Sequence, residues 1–440
     1  MILIFTDTVT ARLQYVCEFI FKENFGIDFS LTQDPATFIS SNLPGINYSA
    51  RLLEKDAVNI KPTNLLFESN ICRENEIEIF YWNDCPAFFK TASHTGDFEF
   101  DILSAIFYLV SRYEEYNSPF TDQYGRYDYR QSIAFKNGFL KQPLVNVWLR
   151  YFATLLKSKF PALQIKQPEF SFIPTFDVDI AFQWKHKGLI RNAGQFLKLL
   201  FSQQYEKVTE GFQVLSRRKK DPFDIFESID ELNEKYCVAP LYFFLVAKQN
   251  TRYDKNVKRS AKAIQTLIQK QSAKYEVGIH PSFYSSSDES LLKNEKFFLE
   301  EVVGKVIKKS RQHYLRFNLP HTYHLLSRSG ITDEYSMGYG TTNGFRASYA
   351  GTFYWYDIAR EERTNLRIHP FCFMDSNCIF HEKSSPEEAF NELITFFNEC
   401  KKLDATLITI FHNHLMSSQN AGWEDVYKNF IAWVYRSSNA

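Results

Sequence analysis

The chain has 440 residues and a mass of 51.7 kDa, enough for about two to four domains of ordinary size. Basic and acidic residues both number 51, so the formal net charge is zero. Bulk charge therefore recruits neither nucleic acid nor an anionic membrane, and any such contact has to be local. Aromatic residues make up 17% of the chain. This composition is typical of a folded globular protein with aromatic cores or with ring faces that stack on sugars.

The N-terminus, MILIFTDTVTARLQY, lacks the basic flank of a signal peptide and places Asp7 directly after a short apolar run. This pattern predicts a first β-strand. No apolar window approaches the roughly 18 residues that a membrane span requires. The seven cysteines include no CxxC pair, which predicts reduced thiols rather than a zinc ribbon or a disulfide framework. We therefore expect a cytoplasmic protein with no membrane segment.

Histidines divide the chain unevenly, because eight of the ten lie at or beyond residue 280. Histidine is the commonest metal ligand and the usual acid or base near neutral pH, so the chemistry is expected in the C-terminal part. We predict an accessory α/β domain over residues 1–165 and a second domain over residues 166–440. In the first domain, a Tyr-rich loop over residues 118–130 is expected to cover another surface.

From residue 170 onward, strand-like apolar runs alternate with helical patterns. The predicted strands span residues 170–179, 239–247, 274–280, 313–319, 333–340, 366–375 and 405–412. The predicted helices between them span residues 224–235, 257–271, 288–309 and 386–403. Alternating strands and helices indicate a parallel sheet, and about seven strands in roughly 270 residues favour an α/β fold of the (β/α) barrel type.

Polar side chains end several of these strands. In a parallel barrel, reactive groups collect at the carboxyl ends of the strands. Asp and His without Cys suit a divalent metal: zinc in the first place, with manganese, cobalt or iron as alternatives. Such a site activates water for hydrolysis. Each residue alone could be an ordinary solvated strand end, but their repetition at one end favours a common site. The residues are Asp177, Asp179, His280, Asp375, His412 and His414.

The order of the motifs adds a resemblance. Thr175-Phe176-Asp177-Val178-Asp179, then Gly-Ile-His280, then Ile410-Phe411-His412 resembles the motif order of polysaccharide deacetylases of carbohydrate esterase family 4, the NodB-homology type. The resemblance covers roughly residues 168–435. It implies a deformed (β/α)7 barrel that uses a divalent metal to remove acetyl groups from N-acetylated sugars. Residues 1–165 look like an accessory N-terminal domain of some large members.

The resemblance also implies roles for individual residues. Asp177 would be the catalytic base, His412 the general acid, and Arg346 the residue that orients Asp177, with Arg316 as the alternative. The metal ligands would be Asp179 and His280, with His414, Asp375 or water completing the set. Substrate contacts are expected from Tyr284, Ser282, Trp355 and Asp375, including an oxyanion contact from the backbone N–H near Ser282. Trp355 is a candidate for ring stacking on a sugar because it lies in the Gly- and aromatic-rich segment 333–356.

The motifs diverge from the family at two positions. Val178 stands where the family has its metal-binding Asp, and Tyr284 stands where it has a second His. Three functions therefore stay open: a metal-dependent deacetylase of N-acetylated sugars, a non-catalytic barrel that binds carbohydrate or a protein partner, and an amidohydrolase of small non-sugar amides. Metal content separates the second from the others, and assays with sugar and simple amides separate the first from the third. A carbohydrate partner is expected, with neither nucleic acid nor membrane.

Overall fold

The computed structural model describes residues 1–71, 77–91, 96–116, 118, 120–166 and 168–438. Six of the cysteines lie in this part of the chain and carry free thiols, whereas Cys72 lies outside the described residues. Among the helices of this part, none combines the length and the apolar character that crossing a bilayer demands.

The N-terminal part is a mixed α/β unit built on a four-stranded sheet. The strand order is β2-β1-β3-β4 and every pair is parallel. A short antiparallel pair, β5-β6, lies outside this sheet. The elements are β1 (Ile2–Thr6), α1 (Ala11–Cys17, continued by a π-helical segment at Glu18–Asn24), β2 (Phe29–Thr32), α2 (Pro35–Ser40), β3 (Gly45–Tyr48), β4 (Ala57–Ile60), β5 (Phe80–Trp82), β6 (Cys85–Ala87), α3 (Ile102–Val110), α4 (Tyr113–Tyr116), α5 (Ile133–Lys136) and α6 (Leu144–Lys159).

The C-terminal part alternates strands and helices, as the sequence pattern predicts. Single 3-10 turns lie at Phe283–Ser287 and His313–Leu315, and a π-helical segment lies at Asn377–Glu382. The elements are β7 (Ser171–Val178), α7 (Leu189–Phe201), α8 (Tyr205–Leu215), α9 (Phe226–Lys235), β8 (Leu241–Leu245), α10 (Lys262–Lys274), β9 (Glu276–His280), α11 (Glu289–Val303), β10 (Lys309–Ser310), α12 (His321–Arg328), β11 (Asp333–Glu334), β12 (Phe353–Asp357), β13 (Glu362–Ile368), β14 (Phe373–Met374), α13 (Pro386–Lys402), β15 (Thr406–His412) and α14 (Trp423–Ser438).

These strands form one nine-stranded sheet with the order β12-β13-β11-β10-β9-β8-β7-β15-β14. All pairs are parallel except β12-β13, which is antiparallel. In the described part of the chain, β12 and β14 remain as the two edges, and no closed barrel is found. The structure is therefore α/β with a mostly parallel sheet, and its β12-β13 pair adds an edge that the expected seven-stranded barrel does not contain.

One predicted strand is wrong in a way that matters for the site. The sequence predicts a strand over residues 313–319, but β10 comes earlier, at Lys309–Ser310, and is followed by the 3-10 turn at His313–Leu315. His313 therefore lies beyond the carboxyl end of a strand rather than at the start of one. The apolar run around Leu315 and Phe317 packs as a buried loop, and this burial produces the same hydrophobic pattern as a strand.

The N- and C-terminal parts share one apolar core. Buried residues of β1, α1, α3 and α6 belong to the same cluster as those of β12, β13 and α14. The Tyr15 hydroxyl donates a hydrogen bond to the Tyr354 carbonyl (2.7 Å), and the Tyr15 and Tyr356 rings lie 4.9 Å apart. Because the core is continuous, the two parts are expected to unfold together rather than independently.

A buried ion-pair network crosses the same interface. The Arg346 guanidinium donates to both carboxylate oxygens of Glu115 (2.8 and 2.6 Å), and Arg112 donates to Glu115 (2.6 Å) and to Glu114 (2.7 Å). All four side chains are nearly inaccessible to solvent. Burial would raise the pKa of Glu115, but Arg346 and Arg112 outweigh it and lower that pKa to about 2.

We expect Glu115→Ala to lower the free energy of unfolding by about 3–5 kcal/mol, because it leaves Arg346 buried without its carboxylate. The shift in the denaturant midpoint measures this loss. Glu301→Ala, on the exposed face of α11, serves as the control and should change stability by no more than about 0.5 kcal/mol. Equal midpoints for the two variants would contradict the prediction.

Candidate metal centre and active-site cavity

Strand alternation places the first two candidate residues on one face of the sheet. In β7, Phe176 and Val178 point into the large apolar core, so Asp177 between them points to the opposite face. β15 pairs with β7 in parallel and aligns His412 with Asp177. Phe411 belongs to the large core as well, so His412 faces the same side as Asp177. Because side chains alternate between the two faces of a strand, the Asp177 carboxylate and the His412 imidazole lie side by side at the ends of β7 and β15.

Three imidazoles converge on the carboxylate of Asp179, the first residue after β7. His280 Nε2 lies 3.1 Å from Asp179 Oδ1 and 3.9 Å from Asp177 Oδ2. His313 Nε2 and His412 Nε2 each lie 3.7 Å from Asp179 Oδ2. His280 and His412 are the last residues of β9 and β15, His313 lies in the turn that follows β10, and all three are buried.

The opposite nitrogen of each ring is already occupied. The Nδ1 atoms of His280, His313 and His412 lie 2.5 Å from the Arg311 carbonyl, 2.9 Å from Asp254 Oδ1 and 2.6 Å from Asp375 Oδ1, respectively. A carbonyl or carboxylate oxygen can only accept, so each Nδ1 carries the hydrogen and donates it. In the neutral ring the Nε2 lone pair then faces Asp179. The Nε2 lone pair and the Asp179 oxygen are both hydrogen-bond acceptors, so a proton or a metal cation has to lie between them.

Three of these groups fit a divalent cation. One ligand atom from each of Asp179, His280 and His313 lies within 4.8 Å of the other two. Asp179 Oδ1 is buried, and within the described residues no hydrogen-bond donor satisfies it. Two imidazoles and one carboxylate are a donor set that zinc accepts, as do manganese, iron and cobalt. Nδ1–H bonds to a carbonyl or a carboxylate also orient metal-binding histidines in known sites.

The charges at the centre are strongly coupled. Burial would raise the pKa of Asp179, but His313 and His280 outweigh it and hold that pKa well below its usual range. Burial would lower the pKa of His313, but Asp179 and Asp254 raise it to about 9. The metal-free centre therefore keeps a proton between His313 and the carboxylates at neutral pH. A bound cation would take that position.

Arg311 and Asp375 hold the two groups that flank the cluster. The fully buried guanidinium of Arg311 donates from Nη1 to Asp177 Oδ1 (2.8 Å) and to the hydroxyl of Thr175 (2.5 Å). Asp375 accepts from both the backbone N–H (2.7 Å) and Nδ1 (2.6 Å) of His412. Burial would lower the pKa of His412, but Asp375 above all, with Asp179 and Asp177, raises it to about 9. The Arg311 guanidinium thus holds Asp177 in place, and His412 carries a proton at neutral pH that it can donate.

A cavity of about 450 Å³ opens onto this centre, within the range of about 300–1,000 Å³ that is usual for small-ligand sites. Asp177, Asp179 and the three converging histidines line it, as do Tyr253 and Tyr314, whose ring centroids are 5.5 Å apart. The N-terminal part contributes Tyr124 and Arg126, from the Tyr-rich loop that is predicted to cover a surface. Arg126 donates to the Tyr314 carbonyl (2.9 Å) and thereby fixes the loop at the mouth.

A protein-family model matches the N-terminal part of the chain. Residues 2–161 match the model of a family described as a family of unknown function, DUF7033. None of the curated protein sequences is similar enough to this chain to match it. The matched segment ends before β7, the first strand of the nine-stranded sheet that carries the metal centre.

Solved structures with a similar arrangement include polysaccharide deacetylases. A candidate polysaccharide deacetylase from Mycobacterium smegmatis is 14% identical, with 61% of this chain and 85% of that chain covered and a TM-score of 0.40. PuuE allantoinase is 10% identical, with coverage of 61% and 84% and a TM-score of 0.39. A pseudoenzyme of carbohydrate esterase family 4 from Bacillus anthracis is 10% identical, with coverage of 61% and 62% and a TM-score of 0.31. At these values the similarity assigns no function to this chain.

The structure corrects two of the predicted contacts. Arg346 does not reach Asp177, because Glu115 and the Gly338 carbonyl take up its guanidinium, and Arg311 holds Asp177 instead. The backbone N–H of Ser282 does not face the cavity as an oxyanion donor, because it donates to Glu295 Oε2 at 2.9 Å. In both cases the expected donor is bound to a carboxylate that the local sequence does not indicate: Glu115 accepts from Arg346, and Glu295 accepts from the Ser282 N–H.

Other predicted residues lie near or away from the cavity. His414 lines it, and burial together with the neighbouring His412 lowers its pKa to about 4, but it lies outside the cluster that His313 completes. Asp375 is fully buried and binds His412 rather than facing the cavity. Tyr284 is 47% exposed and does not line the cavity, and Trp355 is 3% exposed, with its indole N–H donating to the Tyr116 hydroxyl.

Sequence reasoning missed three members of the site: His313, Arg311 and Asp254. His313 and Arg311 follow the end of β10, so the strand-end rule that selects His280 would have selected them had the strand been placed over residues 309–310. Asp254 follows β8 in a loop, where its carboxylate binds His313, Thr251 and the Phe283 N–H. No motif marks it, and only its buried contacts reveal its part in the site.

Proposed function

We propose that the protein is a metal-dependent hydrolase that removes acetyl groups from N-acetylated sugars or oligosaccharides. The observation that carries this proposal is the convergence of three imidazole Nε2 atoms on Asp179, with Asp177 held beside them by Arg311. The tyrosine-lined wall of the cavity supports a sugar ligand, because ring faces pack well against sugar rings. The motif order around Asp177, His280 and His412 supports the same substrate class.

The residues take definite roles in this proposal. A divalent cation bound by Asp179, His280 and His313, zinc in the first place, would polarise the amide carbonyl and lower the pKa of water. Asp177 accepts a proton as water adds to the carbonyl carbon. His412, protonated and oriented by Asp375, gives a proton to the amide nitrogen as the C–N bond breaks. The products are acetate and the free amine of the sugar.

We further propose that residues 1–165 act as an accessory domain that shapes the mouth of the cavity. Tyr124 and Arg126 supply part of the lining, and Arg126 is anchored by Asp122 as well as by the Tyr314 carbonyl. Because this loop contacts the turn that carries His313, it can limit which substrates enter. Substrate choice, rather than the chemical step, is expected to depend on it.

The test is metal content followed by an activity screen. Protein purified without chelator should contain about one equivalent of metal, and Asp179→Ala and His280→Ala should each lose it. The metal-loaded protein should release acetate from N-acetylated oligosaccharides. Release only from simple amides would assign the amidohydrolase function instead. Absence of metal after addition of zinc, manganese or cobalt would overturn the proposal and leave a non-catalytic binder.

Asp375→Asn should change the pH dependence of the reaction. His412 acts while protonated, so activity falls as pH rises through its pKa of about 9. Without the Asp375 charge, the alkaline limb of kcat/KM should move about 1–3 units toward lower pH. The rate at the optimum should fall about 10- to 100-fold, as for other groups that orient a reacting residue. An unchanged alkaline limb would show that another group titrates there.

A further inference from the structure

A helical hairpin beside the cavity carries an unusual exposed surface. It consists of α7 and α8, and its first helix exposes Leu189 (90%), Ile190 (90%) and Phe201 (87%) almost completely. Leu197 and Leu200 on the same helix are also exposed. At about 100° per residue, these five side chains fall within an arc of roughly 120°. Single exposed apolar residues are ordinary, but a contiguous set marks an interaction surface.

The hairpin is folded firmly onto the protein by its other face. Phe196 stacks between Trp184 and Phe212, with ring centroids 4.9 and 4.6 Å away. The Asn192 side chain donates to the Trp184 carbonyl (3.0 Å), and a Cβ at Gly211 would lie 2.7 Å from the Trp184 ring, so the close approach requires glycine. The apolar arc is therefore the outer side of a packed element.

The same segment is strongly basic although the whole chain is neutral. Residues 185–220 contain nine Lys or Arg and two Glu, a net charge of +7, against zero for all 440 residues. Glu210 forms an ion pair with Lys219 and accepts a hydrogen bond from the Gln419 side chain. Lys198, Lys207, Arg217 and Arg218 form no ion pair with any carboxylate of the described residues. The hairpin that carries the apolar arc, with the residues that directly follow it, thus also carries basic side chains that no carboxylate of the described residues pairs with.

From these observations we propose that the α7–α8 hairpin docks on an anionic lipid bilayer, a local contact that departs from the expectation of no membrane partner drawn from the zero net charge of the whole chain. An apolar arc flanked by Lys and Arg is the pattern of helices that lie in the membrane interface. The apolar side chains enter the boundary between headgroups and acyl chains, and the basic residues meet the negative surface potential. A symmetric contact with the hairpin of a second copy fits the surface poorly, because it would place a segment of net charge +7 against another of net charge +7.

The docking surface adjoins the mouth of the cavity. Arg191 of α7 donates to the carbonyls of Lys255 (2.7 Å) and Asn256 (3.0 Å), and Lys255 lines the cavity. On the other side, Gln419 bonds to Gln183 (2.9 Å) and to Glu210 of α8 (2.5 Å). Docking would therefore hold the cavity close to the lipid surface, whatever reaction takes place in it.

The test is co-sedimentation of the full chain with vesicles of phosphatidylcholine containing about 30% phosphatidylserine, at about 0.1 M salt. We expect binding that weakens at high salt and is lost with pure phosphatidylcholine. Leu189→Ser, Ile190→Ser and Phe201→Ser combined should reduce partitioning at least about a hundredfold. Replacing residues 217–220 with Gln should reduce it by about the same factor.

Phe297→Ser is the matched control, because Phe297 is a 59% exposed aromatic residue on α11, away from the hairpin. It should bind vesicles as the unmodified chain does, and all variants should keep the unmodified unfolding midpoint. No binding of the unmodified chain to anionic vesicles would overturn the proposal, as would unchanged binding of the triple variant. A lipid-free dimer that the triple variant dissociates would assign the surface to a second copy instead.

Discussion

Replacing His313 with Ala should empty the metal centre. The substitution removes one of the three groups whose ligand atoms lie within 4.8 Å of one another, and the remaining pair, Asp179 and His280, is a weak site. Metal content of the purified variant should fall from about one equivalent to less than about one tenth. A cation contributes several kcal/mol of transition-state stabilisation, so kcat/KM should fall at least about a thousandfold.

Two controls make this expectation specific. His321→Ala removes an exposed histidine outside the cavity and should leave metal content and activity unchanged. Adding Tyr284→His to the His313→Ala variant places histidine where the related motif has one, but Tyr284 lies outside the cavity, so metal should not return. Restored metal would show that residue 284 can reach the centre, and retained metal in His313→Ala alone would assign the third ligand to His414 or to water.

Asp177→Asn should slow the reaction about 10²- to 10⁴-fold and leave the metal in place. The amide keeps the shape of the carboxylate but cannot accept a proton from water. A general base typically contributes a factor of about 10²–10⁴ to the rate, so kcat should fall by that factor. Asp177 is not one of the three clustered ligand residues, so metal content should stay near one equivalent. The measurements are kcat with an N-acetylated oligosaccharide and metal analysis of the same preparation.

Asp28→Asn is the control for this change, because it makes the same substitution at an exposed position outside the cavity. Its kcat should equal that of the unmodified protein. Loss of metal together with activity in Asp177→Asn would mean that Asp177 is a ligand rather than a base. Full activity in Asp177→Asn would remove the proposed proton acceptor and with it the mechanism.

The amino-acid pattern was enough to predict which residues approach one another from strand ends. Asp177, Asp179, His280 and His412 follow from apolar runs that stop at polar residues, because alternation along β7 and β15 decides which face each side chain takes. The mostly parallel α/β architecture follows from the same alternation of strands and helices.

Prediction failed where a local pattern has two structural explanations. The buried turn at His313–Leu315 has the hydrophobic pattern of a strand, and this moved the predicted strand away from β10 and hid both His313 and Arg311. Arg346 stood near a motif-like segment, but its guanidinium pairs with Glu115 from the N-terminal part. Whether Arg346 or Arg311 binds Asp177 depends on which carboxylate lies nearest to each guanidinium in the folded chain. The spacing of residues along the sequence does not contain that information.

Strand ends and side-chain faces are local properties, because they depend on the hydrophobic period and on where each apolar run stops. The composition of the centre is not local. Strand order sets β7 between β8 and β15, and this order brings His412 beside Asp177 and leaves Arg311 and His313 at the end of β10 to complete the site. Pairings between distant strands arise from packing of the whole sheet, so the third ligand and the partner of the base appear only in the folded chain.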